Sequence, residues 1–80
     1  MFRTLVKTDA VGQDGQTFAV CYFEARTMHG KRRYSAEIVI GPGDRIILDD
    51  DSISNLEARA NRLVPATMYS RVLAARANAA

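Results

Sequence analysis

The sequence predicts an α+β domain, a four-stranded antiparallel β-meander followed by two C-terminal helices packed on one sheet face. Three observations carry this. Residues 17–40 are rich in aromatic and β-branched side chains, which suit a pleated surface, and pause only at His29-Gly30. Gly41-Pro42-Gly43-Asp44 is a turn signature. Beyond Asp51 the apolar residues recur at spacings of three and four rather than two.

The first strand spans residues 2–11, with Phe2, Thr4, Val6 and Thr8 on one face and Arg3, Leu5 and Lys7 on the other. Its mixed faces and its cations suit a sheet edge. Gly12 to Gln16 is a turn, since Gly and Asp supply unusual backbone angles. A long hairpin then occupies 17–40. With a two-residue loop at His29-Gly30, Met28 faces Lys31, Arg26 faces Arg33, Phe23 faces Ala36, Cys21 faces Ile38 and Val20 faces Val39.

That register assigns Ala19, Cys21, Phe23 and Ala25, with Tyr34, Ala36, Ile38 and Ile40, to the core. The opposite face collects Val20, Tyr22, Glu24, Arg26, Arg33, Ser35, Glu37 and Val39. Its apolar base, Phe18, Val20, Tyr22 and Val39, needs a cover from a helix or a second subunit. On this reading Val20→Glu converts a dimer to a monomer without unfolding it.

Pro42 and Gly43 fit the two central positions of a type II turn, and residues 45–49 form the fourth strand. Ser54 with Glu57 fits a capping box at the start of a helix, and Asp51 or Ser52 are alternative caps. Ile53, Leu56, Ala60 and Leu63 make its apolar stripe. Pro65 lacks the N–H that a helix interior needs, so the helix breaks or kinks at Val64-Pro65, and Pro65 suits the first turn of a second helix over 65–77. Met68, Tyr69, Val72, Leu73 and Ala75 form the second stripe, and 78–80 fray.

Eighty residues make a single domain, 1–80, divided into a meander (1–50) and a helical tail (51–80). A core this small is marginal, and one cysteine provides no internal disulfide. Oligomerisation is the remaining route to more buried surface, so a homodimer is expected. Residues 1–4 begin no signal peptide, and the longest apolar run, Phe18 to Phe23, is too short to cross a bilayer. A cytoplasmic protein without membrane contact is expected. Net charge is only +2, which points to no polyanionic partner by itself.

The residues suggest little catalysis. His29, the sole histidine, lies in a turn remote from Cys21, and Glu24 and Glu37 are placed beside arginines. Asp49-Asp50-Asp51 lacks the spaced oxygens of a calcium loop and suits the dipole of a helix start instead. No enzyme, metal or cofactor is expected. The favoured function is a non-enzymatic interaction module that associates with itself, and with a further protein partner as an extension. Its surface is Phe18, Val20, Tyr22 and Val39 with Met68, Tyr69, Val72 and Leu73. The alternative is a nucleic-acid-binding module using Arg26, Lys31, Arg32 and Arg33 at the hairpin tip, with Tyr22 stacking on a base.

Overall fold

The computed structural model describes residues 3–13 and 15–79. Strands β1 (Arg3–Gln13), β2 (Gln16–Arg26), β3 (Arg32–Gly41) and β4 (Asp44–Asp50) form one antiparallel sheet in sequence order. A single helix, α1 (Ile53–Ala79), covers one face of it. Phe2, placed in the first strand by the sequence reading, lies outside the described residues, as do Asp14 of the first turn and Ala80.

The central hairpin closes with three loop residues rather than two. Gly30 N–H donates to the Thr27 carbonyl at 3.0 Å and Thr27 N–H to the Lys31 carbonyl at 2.8 Å. Gly30 takes φ +79°, the left-handed position that follows a type I turn in such loops. The Lys31 N–H also donates to Thr27 Oγ1 at 3.1 Å, which a histidine-glycine two-residue loop would not provide. The extra loop residue moves the register by one. Val20 pairs with Ile38, Tyr22 with Ala36 and Arg26 with Arg32.

A one-residue slip turns one strand over relative to its neighbour. The expected assignment therefore holds for β3 and is reversed for β2. Phe18, Val20 and Tyr22 face the helix and are buried with Ala36, Ile38 and Leu48. Cys21 lies on the opposite, open face, half-buried between Thr8 and Glu37, not in the core. Glu24 and Glu37 fall on opposite faces. They pair with Arg32 at 3.5 Å and Arg45 at 3.2 Å respectively.

The alternation of β1 is also broken. Leu5 pairs with Phe23 but Lys7 pairs with Tyr22, so Val6 is an extra residue in a bulge. Arg3, Leu5, Thr8 and Ala10 consequently share the open face, whereas Thr4, Lys7, Asp9 and Val11 share the covered one. Lys7 reaches over the Tyr22 ring at 5.2 Å and pairs with Glu57 of the helix. Burial holds the Tyr22 phenol above its ordinary pKa, and the Glu57 carboxylate adds to that.

The third turn matches its sequence expectation, with Gly43 at φ +69° after Pro42 and Gly41 paired with Asp44. The helix start is decided among the alternatives by Ser52. Its Oγ accepts from Asn55 N–H at 3.3 Å and its carbonyl from Leu56 N–H at 3.2 Å, so it is the cap. Asp50, at the end of β4, ties strand to helix by accepting from Asn55 Nδ2 at 3.1 Å and Arg59 Nη1 at 3.3 Å.

Those bonds, the Asn55 amide foremost, hold the Asp50 carboxyl down at about 2, against an ordinary 3.8. Asp44 is lowered in the same direction by the Arg71 guanidinium, which grips it through two bonds of 2.9 and 2.7 Å. A depressed folded-state pKa gives stabilisation that is complete above the ordinary value and vanishes as pH falls through the folded one. Urea midpoints are therefore expected to decline between about pH 4 and pH 2, with a smaller decline in Asp50→Asn. An unchanged pH profile in that variant would rule out the strand–helix tie as its source.

Pro65 lies inside α1, so the expected second helix is the continuation of the first. Leu56, Ala60 and Val64, each fully buried, fix the helix to the sheet before Pro65. Met68, packed against the core, and Arg71, bound to Asp44, fix it afterwards. Packing on both sides offsets the lost hydrogen bond, and the Asn61 carbonyl that loses it belongs to an exposed residue. Helix continues to Ala79, with no frayed stretch over 78–79.

Candidate interaction surfaces

The residues expected to form one self-association patch are divided among three places. Phe18, Val20 and Tyr22 are core, at 7%, 0% and 2% exposure. Met68 is half-buried against that core. Val39 lies on the open face, and Tyr69, Val72 and Leu73 lie on the far half of α1. The slipped register explains the separation of Val20 from Val39. The continuous helix explains why only Met68 of the second stripe reaches the sheet.

Past Met68 the helix keeps one tie to the sheet, Arg71 to Asp44, and no apolar packing against the core. Every residue from Tyr69 to Ala77 is exposed, although α1 is about 40 Å long. Tyr69, Val72 and Leu73 are 66%, 44% and 45% exposed. Their spacings of three and four place them on one side of the helix.

The hairpin tip keeps its cations at the surface. Arg26 and Arg32 are cross-strand neighbours, a like-charge pairing that costs stability. Arg32 offsets this through Glu24 at 3.5 Å, while Arg33, on the open face and away from Arg26, pairs with Asp49 at 3.1 Å. Arg26 and Lys31 have no acidic partner among the described residues. Tyr22 cannot stack on a base, because it is buried under the helix.

Of the open face the sequence alone singles out only Val39 and Arg33. That face carries Leu5, Val39 and Ile47, all exposed, together with Arg3, Arg33 and Arg45. Arg3 lies over the Phe23 ring at 4.3 Å and 3.7 Å from Glu37. Near the tip, Ala25 pairs with Arg3 on one side and Arg33 on the other. The methyl group between two long cationic side chains leaves a shallow depression of about 470 Å³, bordered also by Thr27, Ser35 and Asp49. No bridge between Arg3 and Arg33 could be foreseen from a sequence separation of thirty residues without the register.

Among the described residues no group of three or more His, Cys, Asp or Glu is placed to hold a metal ion. No helix among the described residues is long and apolar enough to cross a membrane. Comparison with known proteins gives no family model, no curated protein and no solved structure that matches this chain.

Proposed function

We propose that this protein is a non-enzymatic interaction module that pairs with a second copy of itself through the far half of α1. The observation that carries this is the exposed stripe Tyr69, Val72 and Leu73, on a stretch of helix held to the sheet by the Arg71–Asp44 pair and not by apolar packing. The stripe is self-complementary. Two copies crossing antiparallel between Val72 and Leu73 set Leu73 against Val72 and Arg76 against Tyr69, both ways round. An arginine over a tyrosine ring is a favourable cation–π contact, and a two-fold axis makes it twice. The small core, nine buried side chains among the described residues, favours the extra burial.

Light scattering across a wide concentration range tests this reading. The wild-type chain should have the mass of a dimer. Val72→Glu with Leu73→Glu should weaken pairing at least ~100-fold while leaving the thermal transition of the domain in place, since both side chains are outside the core. A monomeric wild type at high concentration would exclude the pairing.

A second reading is supported by a separate observation, the two tip cations without acidic partners. Arg26 and Lys31 leave the tip positive, which would draw a nucleic acid by its phosphates in a salt-dependent way. The oligonucleotide titration below tests it: loss of binding on Arg26→Ala with Lys31→Ala would support it, and full binding would remove it.

A further inference from the structure

We propose that the saddle over Ala25, between Arg3 and Arg33, is a site for a phosphate group. It does not depend on how the helix pairs. The saddle exists because three antiparallel strands bring Arg3, Ala25 and Arg33 into one row across the sheet. The two arginine backbones stand two strand spacings apart, about 9.5 Å. Between them Ala25 offers only a methyl group, so an anion can sit low with an arginine side chain lining the hollow on either side.

The donors point to an oxyanion of this kind. The Arg3 guanidinium lies over Phe23, its central carbon 4.3 Å from the ring centroid, which limits its movement. Its nearest carboxylate, Glu37, is 3.7 Å away, longer than a hydrogen bond. Arg33 now bonds Asp49 at 3.1 Å. The Asp49 side chain is 65% exposed, so it can be exchanged for another anion at small cost. The hydroxyls of Thr27 and Ser35 border the same hollow. Thr27 Oγ1 accepts from the Lys31 N–H, which leaves its own proton to donate. Two forked cations and two hydroxyls match a group with several oxygens better than they match a carboxylate.

The phosphate could be free, on a small metabolite, or within a single-stranded nucleic acid. The experiment follows the amide resonances of residues 3, 25, 33 and 35 during titration with inorganic phosphate, with chloride at equal ionic strength as reference, and with a short oligothymidylate. The expected result is a saturable shift confined to that row. Arg33→Ala should weaken it by about tenfold or more. Ala25→Leu should abolish it with no change in net charge, because the added side chain fills the saddle. Both variants should keep the wild-type thermal transition, since neither residue belongs to the core. Much tighter binding of the oligonucleotide at the same residues assigns the phosphate to a nucleic-acid strand, and equal binding assigns it to a small molecule. Absence of saturable shifts with either probe overturns the site. So do shifts that survive Ala25→Leu, which would show diffuse attraction to a basic surface.

Discussion

Val20→Glu is expected to unfold this protein, and Val39→Glu to leave it nearly unchanged. Val20 is fully buried, between Asp9 of β1 and Ile38 of β3. A carboxylate there would lose its water and gain a second acid as cross-strand neighbour. Lys7, a cation on the same face, is already engaged by Glu57. Leaving a charge buried without a partner costs about 3–5 kcal/mol. A domain of this size has a total stability near the lower end of about 5–15 kcal/mol.

Val39, by contrast, is 42% exposed on the other face and pairs with Arg45. A glutamate there keeps its hydration and faces a cation. Circular dichroism melts of the two variants make the comparison. Under the two-residue loop the two valines share a face and would respond alike. A folded Val20→Glu protein, whether monomer or dimer, would therefore show the observed register to be wrong.

Pro65→Ala is expected to stabilise the protein by about 2 kcal/mol. Proline inside a helix costs about 3 kcal/mol through the missing N–H and the clash with the preceding turn. Part of the gain is returned, because proline also restricts the unfolded chain, by about 0.4–1 kcal/mol. For a domain of this length the net effect should raise the melting temperature by roughly 10 °C. If Pro65 instead opened a second helix, it would occupy a favourable first position. Alanine would then be neutral or harmful, and an unchanged or lower melting temperature would indicate that break.

Much of the architecture can be read from local chemistry. The four strands, their antiparallel order, the turn at Gly43 and the helical tail each follow from a side-chain pattern within a few residues. The interaction surfaces do not. The tip cations were legible because Lys31, Arg32 and Arg33 are consecutive and Arg26 lies just across the turn, whereas Arg3 and Arg33 come into one row only through the pairing of β1, β2 and β3. Phe18, Val20 and Tyr22 look like a patch in need of cover, and they are one; the cover is the chain's own helix.

By itself the sequence determined the order of strands, turns and helical tail, because alternation, helical spacing and glycine conformations act over short distances; the hairpin loop length and the continuity of the helix lay beyond it. It determined the inward face of β3 as well, since Ala36 and Ile38 alternate with the polar Ser35 and Glu37. Only the tertiary structure decided which face of β2 joins them. Both faces of β2 are apolar enough to be buried, so one residue in the loop, not hydrophobicity, settles the matter. Only the tertiary structure decided that the helix survives Pro65. The penalty is local and legible, while the contacts of Val64, Met68 and Arg71 that outweigh it come from distant strands.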